Sequence, residues 1–251
     1  MLYERFHKIL GIRTRVEMKT EIIEEMEKIL KNFLERFGDH ALLFSGGLDS
    51  SIIAWLLKQA GKETKLYTLC YNDESYDIIQ SGKSAKLIGL KVKKVKFDEN
   101  DVIEGAKLVK KILKTRVTSI DVSHVILAKN VEENTVISGQ GADELFCGYA
   151  KYTKMDKNER EKGMREDFKN WVRTKKEAKI FGHFEKKIFF PYVELENIAN
   201  RIEIEKKENK LPLRELALHI GLPEEIALQK KKALQYGSGV SKAFKKALCN
   251  S

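Results

Sequence analysis

Along the first 150 residues the spacing of apolar positions switches repeatedly between two periods, and each switch marks a predicted element. From Lys19 to Phe37 the apolar side chains (Ile22, Ile23, Met26, Ile29, Leu30, Phe33, Leu34, Phe37) fall three or four places apart. That spacing lines them on one face of a helix, and Gly38 follows as a stop. "ALLF" (41–44) is a short unbroken apolar run, read as a buried strand, and "DSSIIAWLLKQAG" (49–61) is a helix closing on Gly61. The alternation continues with a strand at "TKLYTLC" (64–70), a helix at "SYDIIQSGKSAKLIG" (75–89), a strand at "LKVKKVKF" (90–97) and a helix at "NDVIEGAKLVKKIL" (100–113). A helix within "SIDVSHVILAKNV" (119–131) then leads to a short strand, "TVIS" (135–138).

Strands that alternate with helices imply βαβ units, a mainly parallel sheet and helices on both of its faces. The expected fold class is therefore α/β, doubly wound, with a largely helical C-terminal part. The pattern changes after Gly148: residues 150–179 are dense in charge and poor in core positions, which fits either a solvated helix or a flap that closes over a ligand. Residues 181–251 read as largely helical. The chain divides on this reading into an N-terminal helical extension (1–38), a nucleotide-binding half (39–150) and a helical half (151–251).

No apolar stretch approaches the roughly 18 residues of a membrane span, and the N-terminus carries charges in place of a signal-peptide core, so a cytoplasmic protein without a membrane partner is expected. Cys70, Cys147 and Cys249 have no zinc-type spacing and cannot all pair, as in a reducing compartment. The five histidines show no metal spacing either. The net charge of +10 suits a polyanionic partner. A polyphosphate is favoured over nucleic acid, because no basic run is interleaved with aromatics.

Chemistry concentrates in two loops. In "LLFSGGLDSS" (42–51) an apolar strand meets Ser45, Gly46 and Gly47, and Asp49 and Ser50 open the next helix. Backbone N–H groups and the helix N-terminus there favour phosphate, and the hydroxyls of Ser45, Ser50 and Ser51 can donate to its oxygens. Asp49 is unwelcome beside a bare phosphate and makes sense with a bridging cation such as Mg²⁺. The loop lacks the lysine with which a Walker-type loop neutralises the β- and γ-phosphates. A pyrophosphate leaving group, cleaved between the α- and β-phosphates of ATP, fits better. "VISGQGADELFCGY" (136–149) repeats the design: strand, glycines, then acids opening a helix, with Asp143 as a second carboxylate for the same metal. Two such loops on neighbouring strands define the crevice where open α/β sheets bind ligands.

These two loops resemble the synthetase domain of the asparagine synthetases, within the class of PP-loop ATP pyrophosphatases whose fold is adenine nucleotide α-hydrolase-like. "FFPYVE" (189–194), "LPLRELA" (211–217) and "KKKALQYGSGV" (230–240) resemble three further motifs of that family, in the family's order. The resemblance implies a two-step reaction. Mg·ATP and a small carboxylate give an acyl-adenylate and pyrophosphate, and ammonia or an amine then displaces AMP. It implies that Ser45, Gly46, Gly47, Asp49, Ser50 and Ser51 form the pyrophosphate loop, and that Asp49 and Asp143 hold Mg²⁺. Leu43, Leu69 and Gly139 would contact the adenosine. A lysine of the basic run, Lys232 in preference to Lys231, would neutralise the leaving phosphates.

Three departures temper the resemblance. Position 2 is Leu2, where the glutamine-using synthetases carry a catalytic cysteine, and some forty residues precede the loop, so ammonia is expected from solution or from a separate glutaminase subunit. Gln140 stands where asparagine-making members have glutamate. An amide hydrogen-bonds but cannot act as a base, which separates Gln140 from the ATP chemistry and puts aspartate in doubt as the substrate. Cys147 replaces a usual glycine, as a packing residue or as a reactive thiol. Tyr149 is open to packing or to lining the substrate pocket. An AMP-forming amide-bond synthetase is thus favoured over a tRNA- or nucleobase-modifying enzyme and over a non-catalytic nucleotide-binding subunit. tRNA and a second copy of the chain stay open as partners.

Overall fold

Neighbouring residues on the central strands point to opposite sides of the sheet, and both sides are apolar. The computed structural model describes residues 18–71, 76–229 and 239–249. In β1 (His40–Leu43), Leu42 enters one core and Ala41 the other. Ile137 and Val136 of β4 (Thr135–Ser138) divide the same way, as do Leu66 and Tyr67 of β2 (Thr64–Cys70). A strand buried on both faces needs helices on both faces, which is the doubly wound arrangement the alternation predicts.

One core is covered by α1 (Thr20–Leu34), α2 (Leu48–Gln59) and α3 (Tyr76–Ile88), joined by the C-terminal α10 (Leu211–His219). Met26 and Leu30 of α1 are fully buried there, so the predicted helical extension packs as part of the sheet's cover. The opposite core is covered by α4 (Glu99–Leu113), α5 (Ser119–Asn130), α8 (Lys176–His183) and α12 (Val240–Cys249). The described residues also form the short helices α6 (Ala142–Leu145), α9 (Glu196–Arg201) and α11 (Glu224–Ala227) and the longer α7 (Lys157–Thr174). No helix among the described residues is long and apolar enough to cross a membrane.

With β3 (Val92–Lys96) and β5 (Lys187–Phe189), the sheet has five strands in the order β3-β2-β1-β4-β5, and every pair is parallel. The chain runs outward from β1 through β2 to β3, then returns to place β4 on the other side of β1. The order reverses between β1 and β4, and the crevice beyond their carboxyl ends is where such sheets bind ligands. Both loops singled out by the sequence emerge there.

One of the alternatives after Gly148 is decided, and one strand departs from the expected pattern. The stretch after Gly148 is helical, with α7 capped by reciprocal Asp156 and Glu159 hydrogen bonds. Of its four large apolar residues Met164 and Phe168 are buried, Trp171 is half-buried and Val172 is exposed, so the helix is mostly solvated. Strand β5 stands within the part expected to be helical. Three residues are too few to show a two-residue period. The strand exists because its backbone pairs with β4, Thr135 opposite Lys187 and Ile137 opposite Phe189.

Candidate active site at the β1–β4 switch point

The first loop is shaped by its contact with the next helix. Gly46 has φ +71°, and a β-carbon there would lie 2.5 Å from Ser81 Cα and 2.7 Å from the Gln80 carbonyl oxygen. Backbone meets backbone at this point, so only glycine fits. The Gly46 carbonyl accepts from Ser84 Oγ and from Gln229 Nε2, both at 2.8 Å, which fixes the plane of the turn. Gly47 then opens α2 with an ordinary φ of −76°. Ser45 Oγ accepts from the Gly47 N–H at 3.3 Å and lies 3.4 Å from Ser50 Oγ. Ser51, in contrast, is wholly buried and its hydroxyl has no partner. A cavity of about 60 Å³ opens at this loop, lined by Ser45, Gly47, Asp49, Lys210, Arg214 and Gln229 among others.

Asp49 and Asp143 meet across the crevice through a group the sequence reading did not single out. The ammonium of Lys210 lies 2.5 Å from Asp49 Oδ2 and 2.6 Å from Asp143 Oδ1. Burial alone would drive the proton off this lysine. The paired charges of Asp143 and Asp49 outweigh that effect and leave its pKa above the ordinary lysine value. Gly148 makes the meeting possible, since a β-carbon there would overlap the Asp143 carboxylate and Lys210 Cε.

Lys210 is delivered by strained backbone. Asn209 and Lys210 both sit in the left-handed region, at φ +54° and +59°, where a non-glycine residue costs about 1–2 kcal/mol. Arg214 holds this bend together. Its guanidinium donates to the carbonyls of Asn209 (2.8 Å), Ala227 (2.5 Å) and Gln229 (3.2 Å), so one buried fork fixes both Lys210 and the approach to residue 230. Tyr192, buried inside "FFPYVE", donates its hydroxyl to the Asp49 carbonyl at 2.8 Å. A signal for both residues was present: Lys210 directly precedes "LPLRELA", and Tyr192 is the motif's aromatic.

In the second loop Gly139 lies against the first, where a β-carbon would be 3.2 Å from Asp49 Cβ and 3.3 Å from the Ser50 nitrogen. Gln140 follows, and its Nε2 donates to Glu177 Oε1 at 3.1 Å. Leu43 and Leu69 pack against the core on the α4–α5 side of the sheet. Cys147 is buried at φ +54°, and burial pushes its thiol up to about 11, so it is a packing residue and a poor nucleophile. Tyr149 packs on Tyr152 and donates to Glu144 Oε1 at 2.6 Å. Lys231 and Lys232 lie outside the described residues.

The acceptors suit a divalent cation. Asp49 Oδ1 is buried without a hydrogen-bond partner, and two carboxylates converge where a positive charge already rests. Two carboxylates, completed by phosphate oxygens and water, are a usual Mg²⁺ arrangement. Among the described residues no three His, Cys, Asp or Glu gather into an all-protein metal cage.

A Methanocaldococcus jannaschii protein provisionally named glutamine-hydrolysing asparagine synthetase 1 is 29% identical over 90% of this chain and 51% of its own length. The glutamine-hydrolysing asparagine synthetase of Homo sapiens is 32% identical over 45% of this chain and 22% of its own. The chain thus spans about half the length of the first relative and less of the second. Among solved structures, the NMN synthetase of Francisella tularensis aligns over 89% of this chain and 79% of its own at 14% identity, with a TM-score of 0.47, and adds nothing to the reading of the site. The asparagine synthase family model matches residues 21–202, a span that holds both loops, and the chain belongs to that family.

Proposed function

We propose that this domain joins a carboxylate to ammonia or an amine, with ATP cleaved to AMP and pyrophosphate. The observation that carries the proposal is the pairing of Asp49 and Asp143 about one positive charge at the switch point. Carboxylates from two separate loops converging on one cation suit a triphosphate that enters with its own metal. Asp49 and Asp143 would hold Mg²⁺, which would supply positive charge to offset that building on the pyrophosphate. The Lys210 ammonium neutralises the two acids. On nucleotide binding Lys210 shares or yields them and turns its ammonium toward the phosphates. Ser45 and Ser50 supply hydroxyls beside the turn set by Gly46, and Tyr192 holds the Asp49 backbone in place.

The reactive-thiol reading of Cys147 loses its support, because the thiol is buried and burial raises its pKa to about 11. The test is a screen of carboxylic acids and amines for pyrophosphate release. Release that requires both an acid and an amine is expected. Release indifferent to every acid offered contradicts the proposal.

A further inference from the structure

A groove of about 620 Å³ runs along α7, α9 and the segment Ile204–Lys210, and no step of the proposed reaction uses it. Its size is that of a small-molecule site. Among the described residues it shares no lining side chain with the cavity at the first loop. Leu145, Met164, Phe168 and Ile204 give it an apolar wall, and Lys207 lines it as well.

Packing does not explain Lys207. The residue is only 8% exposed, and among the described residues its ammonium has neither a hydrogen-bond nor an ion-pair partner. Burial lowers its pKa to about 8, against the weaker pull of the Glu161 charge. The other bases of the groove are already paired or in water. Lys157 lies 2.7 Å from Glu205 and Arg165 2.5 Å from Glu161, Arg201 pairs with Glu25, and Lys169 is exposed. A buried, unpaired ammonium destabilises a fold, and an apolar side chain of similar length would avoid that cost. An anion seated in the groove removes the deficit.

The surroundings define that anion. One free buried cation calls for a single negative charge. A phosphate group carries about 1.5 to 2 negative charges at pH 7 and would face the five glutamates that also line the groove. A carboxylate matches the charge, and the apolar wall favours a hydrocarbon body behind it. We infer that the groove binds an organic monocarboxylate, its oxygens on the Lys207 ammonium and its body against Met164 and Phe168. The site adjoins the crevice along the chain, because Lys207 and Lys210 belong to one segment and are joined by the bend at Glu208 and Asn209.

The test is equilibrium dialysis of the protein against radiolabelled octanoate, 3-phenylpropionate or inorganic phosphate, with no nucleotide present. Each carboxylate is expected to bind at one site per chain with a dissociation constant of about 1 mM or tighter, and phosphate at least about tenfold more weakly. K207M removes the charge while keeping an unbranched side chain, and should weaken both carboxylates at least about tenfold. A second readout locates the ligand: the Trp171 ring lies 6.0 Å from that of Phe168, so its fluorescence reports on the groove wall. Octanoate should shift that emission saturably in the wild type, over the concentrations at which it binds in dialysis, and not in K207M. Equal binding of octanoate to both proteins overturns the inference. So does phosphate that binds more tightly than either carboxylate, or a wild type that shows no saturable carboxylate binding up to about 10 mM.

Discussion

The loops after β1 and β4 look alike in sequence and are held in place by different means. The first is set by backbone: Gly46 packs on the main chain of α3, and donors from Ser84 and Gln229 fix its carbonyl. The second is set by buried polar side chains from distant segments. Glu177 of α8 reaches Gln140, and Lys210 before α10 reaches Asp143. The turn at Gly46 is fixed by main-chain contact, while Asp49 at the end of the same loop shares Lys210 with Asp143. A loop set by buried charge can respond when a ligand or metal changes that charge. The comparison teaches that one turn of the crevice is shaped by main-chain contact and the other by polar side chains brought from far along the chain.

Removing one acid should break this scheme most sharply. In D143N the Lys210 ammonium keeps only Asp49 as a charged partner, and the proposed metal site loses one of its two carboxylates. AMP formation is expected to fall about 10³-fold, with a stability loss of about 3 kcal/mol. Initial rates and urea midpoints measure the two, and D143N with near-normal rates would mean that the carboxylate pair is structural only.

The backbone half is probed by glycine. G46A pushes a methyl group into Gln80 and Ser81 at a positive φ and should cost about 3 kcal/mol, whereas G47A, at φ −76° with only Ser45 Oγ near, should cost under about 1 kcal/mol. Equal effects of the two, read from thermal or urea unfolding, would show that the contact with α3 does not set the loop.

A smaller effect sharpens the cost of buried charge nearby. Lys207 lines the groove of about 620 Å³ beside α7, and burial lowers its pKa to about 8 from 10.5. Between those values the unfolded chain binds a proton that the native protein does not, so stability rises with pH through that window. K207M should therefore be more stable than the wild type by about 2 kcal/mol at pH 7, with the difference closing as pH approaches 10.5. Urea midpoints at pH 7 and pH 10 test this, and a variant no more stable at pH 7 contradicts it.

The same contrast explains what the sequence made legible. The sheet was readable because each strand and helix keeps its own period, and the first loop because its signal lies in six consecutive residues. Asp143 was readable for a similar reason, standing at a helix start beside glycines. Glu177 was not, and Lys210 was marked only by standing directly before "LPLRELA". Each gains its meaning from a contact spanning dozens of residues, and in the chain each is one lysine or glutamate among many on charged helices. Strand β5 was missed because its three residues owe their conformation to β4 rather than to a pattern of their own.

The central claim is that the two loops together hold a triphosphate so that its inner linkage breaks. The most direct measurement follows ATP labelled at the α-phosphate through turnover with a carboxylate and ammonia, and identifies the labelled product. The account predicts label in AMP, with pyrophosphate in equal amount and both abolished in D49N. Label in ADP, with inorganic phosphate as the other product, would contradict it.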